Sequence, residues 1–138
     1  MKIKSLINQP LLSIQKEWEP VIHEYFSRLN SGDFIKVSKL FSVQGSLFPP
    51  FEREICGREA IAQYLQSEAK GIQALPQSAT VLRSDDGCSL CQVEGNVKTN
   101  FFTVNVGWSI QLNADNEIMS VKVKLLAELQ DLLAIKHG

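Results

Sequence analysis

Long apolar runs are missing from this sequence: none approaches the roughly 20 residues that a helix needs to cross a bilayer, so a soluble protein is expected. Cysteine is scarce, and the three present, Cys56, Cys88 and Cys91, are an odd number. That excludes a closed disulfide framework and points to a reducing compartment, the cytoplasm. An excess of either charge is also lacking: 14 Lys and Arg stand against 15 Asp and Glu, and no run of like charge exceeds a pair. Such a chain carries no electrostatic footprint for nucleic acid. Repeats and low-complexity segments are absent as well. The opening residues include Lys2 and Lys4, but Asn8, Gln9 and Pro10 interrupt the apolar stretch and no small-residue cleavage site follows. Residues 1–18 therefore read as the N-terminal arm of a mature chain, and 19–138 as a single domain.

What is present suits one compact core, since 44% of the 138 residues are hydrophobic. Pro20 fits a first helical position; Ile22, Tyr25, Phe26 and Leu29 follow at helical spacing, and Gly32 ends the helix. Asp33 is placed to cap a second short helix with Phe34, Val37, Leu40 and Phe41 on its apolar face, broken at Gly45. The "SLFPPF" stretch reads as extended and confined to an edge or rim, because each proline removes a donor and restrains the residue before it. "GREAIAQYLQSEAKG" predicts a third helix with Ile61, Tyr64 and Leu65 on one face. From Pro76 the period changes to alternation through four segments separated by "DDG" and "NADN", an antiparallel meander. Val104, Val106, Trp108, Ile110 and Leu112 share one face of the third segment, while Val121, Val123 and Leu125 oppose Ser120, Lys122 and Lys124 in the fourth. "LAELQDLLAIKHG" reads as a short C-terminal helix or tail. Helices followed by strands make the class α+β, a curved antiparallel sheet wrapped around N-terminal helices, the layout of the nuclear-transport-factor-2-like cone. That cone hosts enzymes, binding modules and assembly domains alike.

Enzymes in such cones need an acid or base on the apolar wall, where burial tunes its pKa. None is found: Asp85, Asp86, Asp115 and Asn116 fall in turns, Glu94 on the wetter strand face, Glu59 and Glu68 on the exposed side of the third helix. His23 reads as solvated and His137 as part of the tail, and Asp33 is taken up as a cap. The chain is therefore expected not to be an enzyme. Cys88 and Cys91 lie three apart on a strand and so face opposite ways, a poor pair for one metal. Cys91 alternates with Val93 and Val97 as a buried thiol; the competing reading is a redox-sensitive link between subunits through Cys91 or Cys88. Tyr25 and Trp108 each join a flat apolar body to one donor on an apolar face. Two readings stay open for them: core packing, or two donors converging on one carbonyl oxygen at the end of a long apolar ligand.

"YFSRLNSGDF", "LFSVQGSLFPPFEREICGREAI", "GNVKTNFF" and "LNADNEIMSVKVKLLAELQDLL" resemble, in order and spacing, the C-terminal domain of the cyanobacterial orange carotenoid protein, across about residues 21–133. The helical N-terminal domain of that family has no counterpart here, so the chain looks like a free-standing homologue of the C-terminal domain. The resemblance implies a ketocarotenoid of the canthaxanthin, echinenone or hydroxyechinenone type, its ring carbonyl accepting hydrogen bonds from Tyr25 and Trp108. It implies further contacts from Leu47, Pro49, Pro50, Ile55, Ile72, Thr99, Phe101, Phe102, Val123 and Leu125, with Pro49 and Pro50 stiffening the rim where pigment enters. Phe101 stands where a Trp is common in the family. A carotenoid is about as long as this domain is wide, on the order of 35 Å from size scaling, so one cone buries half of it. The partners implied are an identical subunit in a homodimer and a helical carotenoid protein that exchanges pigment, with transient membrane contact for pigment pickup and photoprotection by singlet-oxygen quenching. The alternatives are a small-molecule enzyme of the same fold and a pigment-free assembly module that docks by its sheet.

Overall fold

The computed structural model describes residues 8–10 and 19–126. The expected C-terminal helix and His137 lie outside the described residues. A short strand β1 (Asn8–Pro10) is followed by helices α1 (Pro20–Ser31) and α2 (Phe34–Lys39), strands β2 (Phe41–Phe48) and β3 (Ile55–Cys56), and helix α3 (Arg58–Glu68). Four long strands complete it: β4 (Gln73–Arg83), β5 (Ser89–Lys98), β6 (Thr103–Leu112) and β7 (Ile118–Leu126). The seven strands form one sheet in the order β1-β4-β5-β6-β7-β2-β3.

Helix α1 starts and stops where its residues dictate. Pro20 occupies the first turn, where its missing donor costs nothing, and Gly32 closes the helix at φ 80°, a left-handed cap that leaves its N–H on the Leu29 carbonyl. Ile22, Tyr25, Phe26 and Leu29 are its buried stripe. From the other side, Val106, Trp108, Ile110 and Leu112 of β6 point inward at every second residue and are buried. Period 3.6 thus meets period 2 across one core, with Ile61 and Leu65 of α3 beside it.

The region after α1 departs from expectation. Asp33 precedes α2 but makes no side-chain cap; its carboxylate instead accepts from Ser31 and Arg28 at the end of α1. Helix α2 ends at Lys39, and Phe41 already belongs to β2. Leu40 and Phe41 do sit at helical spacing from Phe34 and Val37. A parallel pairing with β7, Phe41 opposite Ile118 and Leu47 opposite Val121, overrides that local preference and makes the sheet mixed. Gly45 is not a helix breaker but a bulge residue inside β2, where the register with β7 shifts. A Cβ there would meet the Ile118 carbonyl oxygen at 2.9 Å and the Phe41 side chain at 3.0 Å. Gly45→Ala is therefore expected to lower stability by about 1–3 kcal/mol through overpacking against backbone, read from urea unfolding.

The meander is as the turns foretell, although β4 begins at Gln73, ahead of Pro76, and places that proline at a bulge opposite β5. The Asn113 carboxamide accepts the N–H groups of Asp115 and Glu117, which tightens the β6–β7 turn. The Pro-Pro corner is extended only through Phe48. Beyond it the chain turns, with Phe51 in the left-handed region at φ 61°.

Candidate functional site

Between α1, α3 and the inner sheet face lies a cavity of about 180 Å³. Tyr25 and Leu29 of α1, Val106 and Trp108 of β6, and Leu47 of β2 line it; Val97, Val104, Val123 and Ala74 continue its strand walls. Pro49, Pro50, Ile72 and Leu125, with Tyr64, Leu65 and Glu68 at the end of α3 and Ala69 just past it, complete the lining. Strand alternation explains the β6 wall, since Val104, Val106 and Trp108 share a face. The helical i, i+4 relation explains Leu29 beside Tyr25.

The aromatic rings are held by edge-to-face contacts. Tyr25 meets Phe26 at 5.1 Å between centroids and Phe41 at 6.5 Å, and Phe26 meets Trp108 at 4.9 Å. Such contacts fix ring planes as well as bury them. Tyr25 is 2% exposed and Trp108 3%. Neither the Tyr25 hydroxyl nor the Trp108 indole N–H donates to another described residue. A buried donor without a partner is uncommon in a native fold and calls for an account. Burial also pushes the Tyr25 phenol well above its ordinary pKa, so it stays protonated and a donor in mildly alkaline solution.

The structure brings together Tyr25, Trp108, Leu47, Pro49, Pro50, Ile72, Val123 and Leu125. It does not bring in Ile55, Thr99, Phe101 or Phe102. Ile55 pairs with Leu47 on the terminal strand and packs against the core from outside the cavity. Thr99 builds the β5–β6 turn: its hydroxyl accepts the N–H groups of Phe101 and Phe102 and its own N–H donates to the Phe102 carbonyl. The two phenylalanines project outward from that turn. Sequence reasoning missed Leu29, Leu65, Ala69, Ala74, Val97, Val104 and Val106, although the spacing around Tyr25 and Trp108 signals Leu29, Val104 and Val106. Glu68, read as lying on the exposed side of α3, is exposed but also lines the cavity rim. Tyr64, half-buried, donates its hydroxyl to Glu52 at 3.0 Å, tying α3 to the proline corner; burial and that carboxylate push its phenol up to about 12.

The cysteines separate by exposure. Cys91 is 1% exposed and burial pushes its thiol up to about 12, so at neutral pH it stays a protonated thiol inside the core. Cys88 is half-buried in the β4–β5 turn, its pKa raised by burial and by Asp86. Cys56 is exposed, on the strand that ends the sheet. A mild oxidant is therefore expected to join two chains through Cys56: the dimer band on a non-reducing gel disappears in Cys56→Ser and persists in Cys91→Ser. Persistence in Cys56→Ser would move the link to Cys88.

Residues 19–121 match the nuclear transport factor 2 (NTF2) domain. The chain is 32% identical over 126 residues to the orange carotenoid-binding protein of Synechocystis sp., covering 88% of this chain and 40% of that protein. It is likewise 32% identical to the orange carotenoid-binding protein of Limnospira maxima, over 80% of this chain and 36% of that one. The chain thus spans about two-fifths of the length of the curated relatives it matches. Among solved structures, the orange carotenoid protein of an Anabaena (Nostoc) species, binding canthaxanthin, superposes with a TM-score of 0.79 at 31% identity, over 96% of this chain and 42% of that one. The epoxide hydrolase/cyclase-like enzyme SalBIII shares the fold alone, at TM-score 0.62 and 18% identity over 80% of this chain and 90% of its own. The chain belongs to the nuclear transport factor 2 (NTF2) domain family, within it as a homologue of the C-terminal domain of the orange carotenoid proteins.

Proposed function

We propose that the protein binds a ketocarotenoid noncovalently, carries it in the cytoplasm as a homodimer and exchanges it with a helical carotenoid protein, the pigment quenching singlet oxygen. The observation that carries this reading is the pair of buried donors, Tyr25 and Trp108, which have no hydrogen-bond partner among the described residues and face one apolar cavity. A ring carbonyl moved into an apolar site loses its water and needs donors, and these two supply them without introducing a charge. The cavity's size fits the same ligand. About 180 Å³ is less than the roughly 300 Å³ at which sites for whole drug-sized molecules begin, but it suits one terminal ring with the polyene leading out. An enzyme of this fold would want a wall acid; among the described residues the one carboxylate on the lining, Glu68, is exposed. Expression in a host that makes ketocarotenoids tests the reading. Pigment should co-purify, with absorption shifted to the red of its position in organic solvent. Colourless protein from a fully pigmented host would overturn it.

A further inference from the structure

Helix α1 carries one of the two donors and β6 the other, so whatever seats α1 on the sheet also sets the geometry of the pair. Both donors are referenced to one strand, β4. On the sheet side the reference is the backbone ladder: Trp108 pairs with Val93 of β5, and Val93 with Ala79 of β4. On the helix side it is two polar ties, one at each end of α1. Glu19, just before the helix, forms an ion pair with Arg83 at the end of β4. Asn30, in the last turn, meets Ala74 near the start of β4. Tyr25 lies between the two ties.

The Asn30 tie is the more constraining. Its carboxamide donates to the Ala74 carbonyl at 2.8 Å and accepts the Ala74 N–H at 2.7 Å, as a neighbouring strand would. β1 pairs with β4 only from Thr80 to Leu82, so among the described residues no strand covers the β4 edge at Ala74. Ala74 is buried and lines the cavity, where unpaired backbone groups would be costly. The Gln73 carboxamide N–H also donates to the Asn30 carbonyl. Close packing does not replace these bonds: Leu29 and Ile72, which line the cavity, also line a second hollow of about 210 Å³ that Asn30 borders. A wall with open space on both sides is held by its ties. At the other end of α1, Arg83 is exposed and its ion pair is screened by salt, so that tie holds less firmly.

We propose that Asn30 is a positioning residue for the carbonyl of the ligand: by fixing the end of α1 on β4, it sets where the Tyr25 hydroxyl stands relative to the Trp108 indole N–H. Two donors serve one oxygen well only when each is held to within about 0.5 Å, because hydrogen bonds weaken steeply with distance and angle. The edge contacts of Tyr25, Phe26 and Trp108 fix the ring planes, and the Asn30 tie fixes the helix that carries two of those rings. This role rests on the pigment reading above.

The test reads the absorption maximum of loaded protein from a host that makes ketocarotenoids. Band position belongs to the molecules that hold pigment, so a variant that only folds or loads less well gives a weaker band at the wild-type place. Asn30→Leu removes both hydrogen bonds at similar volume and should lose about as much of the red shift as Tyr25→Phe does, with affinity down by about three- to tenfold. Asn30→Asp, of the same shape, should also lose red shift, since its carboxylate has no proton to give the Ala74 carbonyl. It carries the test alone should Asn30→Leu not fold. In Tyr25→Phe protein the same substitutions should leave the band where Tyr25→Phe alone puts it, because the effect passes through the Tyr25 hydroxyl. A wild-type band position in loaded Asn30 variants overturns the proposal and leaves the pigment reading intact. So does a shift as large without the Tyr25 hydroxyl as with it. Wild-type protein that comes colourless from the same host overturns the pigment reading, and this role with it.

Discussion

Pigment-loaded protein carrying Tyr25→Phe and Trp108→Phe together is expected to lose most of its red shift and to bind ketocarotenoid about ten- to a hundredfold more weakly. Each substitution removes one hydrogen bond to a buried carbonyl, worth about 0.5–1.5 kcal/mol, and the second leaves the oxygen desolvated and unpaired. Phe at position 25 preserves the edge contacts with Phe26 and Phe41, so the change acts on the donor more than on the packing. If both donors serve one oxygen, the two single variants should not add, since the remaining donor takes up part of the lost interaction. The spectrum should also hold into the alkaline range. Burial raises the Tyr25 phenol above its ordinary 10.0, so its neutral, donating form persists past the pH at which an exposed tyrosine ionises. A double variant with wild-type spectrum and affinity would remove these residues from the site and return them to core packing.

The part of the site that is legible in the sequence is the part set by local period. Tyr25, Phe26 and Leu29 fall on the buried stripe of α1, and Trp108 on the buried face of β6, because 3.6 and 2 are properties of the backbone. Gly32 and Asn113 place their turns for equally local reasons. What escapes is whatever depends on a distant partner. Phe41 looks helical beside Phe34 and Val37, and only pairing with Ile118, remote in the chain, makes it the start of a strand. Asp33 looks like a cap until Arg28 and Ser31 are seen to compete for its carboxylate. Phe101 and Phe102 resemble wall residues by chain order, yet the Thr99 turn carries them past the wall to the lip. Glu68 has the helical phase of an exposed residue and keeps it; its place on the rim follows from where α3 ends against the sheet.

Loading with pigment is expected to drive dimerisation. A cavity of about 180 Å³ takes one end of a carotenoid, and the rest leaves the mouth as apolar surface. Covering it with a second mouth returns about 2.5 kcal/mol for each 100 Å² of apolar area removed from water. Without pigment that apolar area is not there to bury, so association loses its main driving force. Pigment therefore tips the balance by mass action, and the dimer should hold one carotenoid for two chains. Sedimentation velocity with reductant present keeps a Cys56 disulfide out of the measurement. Apo protein should sediment as monomer and loaded protein as dimer, with pigment and protein boundaries moving together. Addition of a helical carotenoid protein should then dissolve the dimer as pigment leaves it. A loaded monomer that carries a full-length carotenoid would refute the shared-mouth arrangement and require that one chain alone cover the protruding half.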